Sequence, residues 1–298
     1  MLDTLTMSPT LFLILITLLG LVIGSFLNVV IARLPVMLQK GWYEQCKLFL
    51  SENYQINLQP DKRSPQAPFN LMLPRSQCPS CKTSIKIWDN IPIMSFLLLK
   101  GKCRSCQTRI PLRYPLVECF TALLSVLTAY HFGLTSSLLP GLLLTWALIT
   151  LTMIDLDQQI LPDNITLPFL WLGLLVNIQD TFCTLPQAIL GAVLGYLILW
   201  FIYWIFKLIT GKEGMGYGDF KLLAMLGAWV GVTGLLPIIL ISSFIGAITG
   251  ITLILLKKHE KGHPIPFGPF LAGAGWIVFL YGDKIISYYF SLTGMTAT

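Results

Sequence analysis

Hydrophobic residues fall in long blocks along this chain, and the polar residues collect between them. The blocks lack both the two-residue alternation of a half-buried strand and the one-sided stripe of a surface helix, so they read as helices apolar all round. Crossing a bilayer as a helix takes about 20 apolar residues. The candidate spans are Thr10 to Ile31, Tyr114 to Phe132, Leu138 to Ile154, Ile165 to Ile178, Leu185 to Ile209, Phe220 to Val232, Leu235 to Leu256 and Gly268 to Phe290. The pattern predicts an all-α polytopic membrane protein of about eight transmembrane helices. A membrane β-barrel would show short alternating segments instead.

One interruption breaks the series. Residues 35–113 hold several prolines and most of the positive charge, with no block of span length. A small cytoplasmic domain inserted after helix one is expected there, which divides the chain into residues 1–34, 35–113 and 114–298. Its "IPIMSFLLLK" stretch is too short to span; it is expected to pack within the domain or lie on the membrane surface. Val36 to Phe69, rich in Gln, Asn and Pro, is expected to be a loop. No internal repeat is visible, although the small residues of "GSFLNVVIA" and "GAVLG" suit close helix packing.

Composition agrees with the pattern: 55% of residues are hydrophobic, 11% are charged and the mean hydropathy is +0.73, outside the range of soluble domains. The N-terminal "MLDTLTMSPT" carries an acid and no Lys or Arg, so the first block reads as a retained helix with its N-terminus outside. Threading the chain from there places every one of the 20 Lys and Arg except Lys284 on one side. The positive-inside rule makes that side the cytoplasm. The formal charge of +6 therefore calls for no nucleic-acid partner; it reports topology first and contact with anionic lipid second.

Four of the seven cysteines form "CPSC" (Cys78, Cys81) and "CRSC" (Cys103, Cys106). Two C-x2-C pairs at this separation match a tetrahedral four-cysteine zinc site, because each two-residue spacer turns both thiolates of a knuckle toward one ion. A pair of disulfides or a redox centre competes with that assignment, but a reducing cytoplasm disfavours the former and neither knuckle sits in a strand-then-helix pattern. Four thiolates leave no open position, so the zinc would be structural. Cys46, Cys119 and Cys183 are expected to be small, mostly buried residues.

Carboxylates at the ends of membrane helices are costly and are functional candidates. "MIDLDQQILPD" gathers Asp155, Asp157 and Asp163, and "GMGYGDFK" places Asp219 after Gly214, Gly216 and Gly218. The glycines let the backbone bend closely, and Asp219 is alternatively a helix cap paired with Lys221. On the threaded topology the cluster and Asp219 share one depth near the cytoplasmic face. Two acids there that approach closely cannot both ionise; one keeps a proton while the other activates a water. Within the cluster, Asp157 lies ~200° around the helix from Asp155, and Asp163 follows Pro162 as a helix N-cap. The partner of Asp219 is thus Asp155 or Asp157.

Taken together, "GSFLNVVIARLP", the two knuckles, "PLRYPLVE", "MIDLDQQILPD" and "GMGYGDFKLLAMLGAW" resemble the bacterial prepilin peptidases, members of the G-x-G-D aspartic proteases. The resemblance covers nearly the whole chain. It implies an inner-membrane enzyme that cleaves the basic leader of type IV prepilins and type II secretion pseudopilins at the cytoplasmic face. It also implies N-methylation of the new N-terminus with S-adenosylmethionine. The family pattern maps the catalytic pair onto Asp155 and Asp219. Glu118, with Arg113 nearby, is a candidate polar anchor for the methyl donor or an interfacial charge pair. Asp157, Asp163 and Glu213 are expected to attract the basic leader, and Gly216, Gly218 and Lys221 to support the site. A proton-coupled transporter using intramembrane acids is the alternative, and a zinc-anchored scaffold in a secretion complex is a third.

Overall fold

A computed structural model describes residues 8–54, 69–256 and 265–293. The chain divides into two compact units, Met1–Leu127 and Thr128–Thr298. It is helical throughout; among the described residues there is no strand, only two isolated antiparallel bridges.

The first unit holds α1 (Pro9–Tyr54), the short α2 (Met94–Leu98) and most of α3 (Arg113–Phe132). Helices α1 and α3 run antiparallel at very close range. A Cβ on Gly20 would lie 2.6 Å from the Cα of Ala122, and one on Gly24 would lie 2.7 Å from the Cα of Glu118. Farther along the same face, Asn28 Nδ2 donates to the carbonyl of Tyr114 at 3.1 Å. The small residues of "GSFLN" therefore do pack a helix pair, as expected in a membrane.

Helix α1 departs from expectation by continuing through Pro35 as far as Tyr54. Residues 36–54 are rich in Met, Leu, Gln, Lys and Glu, all good helix formers; the prolines that argued for a loop lie at positions 60, 65 and 68. Those fall in residues 55–68, which, like the basic connection 257–264, lie outside the described residues. The "IPIMSFLLLK" stretch packs within its domain only in part: α2 buries none of its residues fully, although half-buried Phe96 lies against Gly101.

The second unit is built from α4 (Leu138–Gln158), α5 (Asp163–Val176), α6 (Leu185–Thr210), α7 (Tyr217–Leu255) and α8 (Gly268–Thr293). The start of α7 is its centre: Phe220, Leu223, Met225, Leu226 and Trp229 are all buried. Helix α7 is two helical stretches joined at Gly231, whose φ of 73° and ψ of −176° break the helix. Neighbours show that the chain doubles back there. Gly275 of α8 lies beside Leu226 and Val278 beside Gly234, but Phe270 lies beside Gly246 and Ile265 beside Gly250. The second stretch thus returns along α8 toward the end where α7 began.

A helix break leaves backbone carbonyls without helical partners. Fully buried Asn177 answers this one: its Nδ2 donates to the carbonyl of Ala228 at 2.9 Å, while its Oδ1 accepts the N–H of Phe182 at 2.9 Å. On the other side of α7, Gly191 and Gly227 meet backbone to backbone, so the "GAVLG" glycines of α6 also serve close packing.

Six described helices are long and apolar enough to cross a membrane, making this a multi-pass membrane protein. The expected eight rests on counting α7 twice, once for each side of Gly231, and on α5, which has only 14 residues.

Candidate active site

Helix α4 ends where Gln159 adopts a left-handed conformation and its N–H bonds back to the carbonyl of Asp155 at 2.9 Å. Asp155 occupies the last turn and is only 5% exposed. Asp157, almost half a turn-circle away, faces out, as helical geometry requires. Asp219 lies in the first turn of α7 and is 7% exposed. The two buried carboxyl groups are near enough to act on each other electrostatically. Of the two candidates in the cluster, the fold brings Asp155 to Asp219.

Asp219 is not the N-cap residue itself, but from the first turn its carboxylate accepts a backbone hydrogen bond from Gly216, so part of the capping role expected of it is present. Gly216 holds the N-cap position, with no side chain of its own to cap the helix. Gly216 has ordinary extended backbone, and a Cβ there would stand 3.8 Å from the Asp219 carboxylate, an ordinary contact, so neither backbone nor space demands glycine at this position. Gly218 is required by packing, since its Cβ would lie 2.8 Å from that of Leu161.

Lys221 does not pair with Asp219. Its ammonium is 2.7 Å from a carboxylate oxygen of Asp163. Asp163 is the first residue of α5 behind Pro162 as N-cap, and it makes no capping bond of its own. The pair ties the start of α5 to the first turn of α7. Glu213 is likewise engaged, with Lys207 at 2.8 Å. Two of the three acids expected to meet a basic leader are therefore already matched with cations.

Two residues that the motifs did not single out complete the site. The N–H of Gly268, first residue of α8, donates to Asp155 Oδ2 at 3.0 Å in a buried contact. A Cβ at Gly268 would lie 2.6 Å from that oxygen, so only glycine fits. Leu161 packs between Gly218 and Gly268 and joins three chain segments around the acids. The signal in the sequence was "PFGPF", a glycine between prolines where an apolar helix begins.

In the first unit, the sulfur atoms of Cys78, Cys81, Cys103 and Cys106 all lie within 4.8 Å of one another. Cys78 and Cys106 are 3.7 Å apart, and Cys81 and Cys103 are 4.0 Å apart. A tetrahedron with metal–sulfur bonds of ~2.3 Å has sulfur–sulfur edges of about 3.8 Å, so the four fit one ion. All seven cysteines are free. The knuckles are backbone copies of each other, and the sequence repeats with them as Cys-x-Ser-Cys-x-Thr-x-Ile in both, so a short internal repeat is present after all. In each, the first cysteine's N–H meets the carbonyl five residues on, at 3.0 Å from Cys78 to Thr83 and 2.9 Å from Cys103 to Thr108. Lys82 and Gln107 share the left-handed position, with φ of 57° and 60°. The Thr108 hydroxyl beside Cys106 pulls that thiol down to about 6, which favours the thiolate a metal needs. Cys46 and Cys119 are exposed and Cys183 is half-buried, contrary to expectation.

Glu118 is buried in the α1–α3 contact. It accepts the N–H of Ile93 at 2.9 Å and bonds the Ser25 side chain. These contacts give it a structural task and add nothing to its candidacy as a methyl-donor anchor.

The family profile described as "Bacterial Peptidase A24 N-terminal domain" matches residues 18–132, and the one described as "Type IV leader peptidase family" matches residues 142–251. A protein of Pseudomonas aeruginosa named prepilin leader peptidase/N-methyltransferase is 51% identical over 294 residues, 99% of each chain. Those of Stutzerimonas stutzeri and Neisseria gonorrhoeae carry the same name, at 51% identity over 96% and 49% over 90% of each chain. No solved structure matches. The chain belongs to the type IV leader peptidase family and is an enzyme of the peptidase class.

Proposed function

We propose that this member of the family cleaves the basic leader of type IV prepilins and type II secretion pseudopilins at the cytoplasmic face of the bacterial inner membrane, with Asp155 and Asp219 as its catalytic pair. One observation carries the proposal: two acids from separate helices are buried together at helix ends, in a chain with few acids. Of the two carboxyl groups, one is ionised and one protonated. The ionised group takes a proton from water, and the resulting hydroxide attacks the scissile carbonyl carbon. The protonated group hydrogen-bonds the carbonyl oxygen as charge grows there. Collapse of the tetrahedral intermediate breaks the C–N bond and returns a proton to the leaving amine.

The periplasmic N-terminus and cytoplasmic site rest on the positive-inside count. Zinc is the metal that suits four thiolates, and it would organise the module without joining the peptide chemistry. N-methylation of the new N-terminus follows from the relatives' names; the donor would be S-adenosylmethionine, to which no residue here is assigned. The test uses purified protein in lipid with a prepilin. Asp155→Asn and Asp219→Asn are each expected to abolish cleavage while metal content and helicity stay unchanged. Normal cleavage by either variant would remove the pair from the mechanism.

A further inference from the structure

Apolar side chains of the tetracysteine module collect on one exposed stretch. Trp88 is 77% exposed, Leu97 64% and Leu98 77%, with Ile91 and Met94 beside them. Isolated exposed apolar residues are ordinary, but a run of them outside the spanning helices marks a surface that something covers.

Two contacts fix the depth of that stretch. Helix α3 has 20 residues, about 30 Å, which only just matches the hydrocarbon core, so its first turn must stand at the membrane boundary. Glu118 lies five residues in, about 7.5 Å along the axis. Its carboxylate holds the N–H of Ile93, the residue that caps α2. Ile93 has φ of 57°, a conformation that a β-branched residue seldom adopts, and this bond helps to hold it there. The run from Trp88 to Leu98 is therefore tied to the boundary at which α3 starts. Arg33 of α1 fastens the preceding loop, donating to the carbonyls of Asn70 at 2.9 Å and Pro74 at 2.6 Å.

Charge decides what the cover is. Between Cys78 and Ile110 lie Lys82, Lys86, Lys100, Lys102, Arg104 and Arg109 against a single acid, Asp89. Arg104 already occupies that acid, at 2.6 Å, and holds its carboxyl below the usual range. The remaining cations are exposed. A basic leader peptide is repelled by such a surface, whereas an anionic lipid leaflet is attracted by each basic residue near it. Apolar residues with Trp among them and a basic surround are the combination that seats a segment in the headgroup region.

We propose that Trp88 to Leu98 is an interfacial anchor. It inserts its apolar side chains at the headgroup–acyl boundary of the leaflet where α3 begins, while the surrounding Lys and Arg meet anionic headgroups. The proposal concerns the module alone and stands independently of the peptidase assignment.

Full-length protein and a Trp88→Phe variant are reconstituted in nanodiscs of anionic phosphatidylglycerol mixed with phosphatidylcholine, or of phosphatidylcholine alone. The difference between their emission spectra isolates Trp88. In anionic discs this component is expected to be blue-shifted and to be lost when the lipids carry bromine near the headgroup end of their chains. Leu97→Glu with Leu98→Glu, which touches no buried residue, is expected to restore an unquenched, red-shifted signal at unchanged metal content. A Trp88 signal that bromine never reaches overturns the proposal. So does one shielded only when prepilin is added or protein is concentrated, which would make the cover a substrate or a second copy. Equal quenching in phosphatidylcholine alone overturns the role given to anionic headgroups.

Discussion

The backbone N–H of Gly268 donates to Asp155 Oδ2 at 3.0 Å, so the N-terminus of α8 is aimed at one of the two buried acids. This bond fixes the carboxylate's position from a segment 113 residues away. Gly268→Ala would set a methyl group 2.6 Å from that oxygen and push the acid aside. A displacement near 1 Å in a catalytic group costs on the order of 100-fold in rate. That loss is expected in kcat for prepilin cleavage, with KM little changed. Gly273→Ala on the same helix meets nothing within 4 Å and is expected to be silent in the same assay.

The ion pair of Lys221 and Asp163 distinguishes a strut from a substrate contact. Both side chains are partly exposed, at 31% and 49%, so the pair contributes roughly 0.2–1 kcal/mol to stability. As a strut next to Asp219, it is expected to affect kcat when either Lys221→Met or Asp163→Asn is made, with the double variant no worse than the more damaging single one. A rise in KM confined to Asp163→Asn would assign the acid to leader binding instead.

Metal retention should depend on pH in one direction. The four thiolates must be deprotonated to hold an ion, and protons compete for them. Cys106, with its thiol near 6, is ionised at neutral pH and loses that state as pH falls through 6. Metal content of the purified chain, followed by elemental analysis after dialysis, is expected to be stable at pH 7–8 and to drop steeply below about 6. Cys78→Ser should lose the ion at neutral pH; full metal content in that variant would dismiss the site.

Helix α7 should depend on its buried amide. Asn177→Leu would strand the buried carbonyl of Ala228 and the part-buried N–H of Phe182. Each unsatisfied group costs about 1–3 kcal/mol, and unfolding in mild detergent should register the loss. Gly231→Ala, forced to φ of 73°, is expected to cost about 1–3 kcal/mol.

The sequence made the helices legible because span length and apolarity are local properties. It made the knuckles legible because two thiolates of one turn are set by a two-residue spacer. Local patterns misled where composition was averaged too widely. The prolines at positions 60, 65 and 68 made a loop of residues 36–54, which form a helix. Lys221 was matched with its sequence neighbour Asp219, while its actual partner, Asp163, is 58 residues away.

What the sequence determined by itself is an all-helical membrane chain, a four-thiolate module, and the acids that belong to helix ends, since these follow from spacing along one segment. Spacing along the chain left Asp155 and Asp157 open and the family resemblance pointed to Asp155; tertiary structure shows Asp155 buried with Asp219, and it alone decided that Gly268 and Leu161 complete the site and that Gly231 turns α7 back on itself. Each depends on which surfaces of distant helices can approach closely enough to exclude a side chain. That approach is set by packing in three dimensions, which no spacing along the chain encodes.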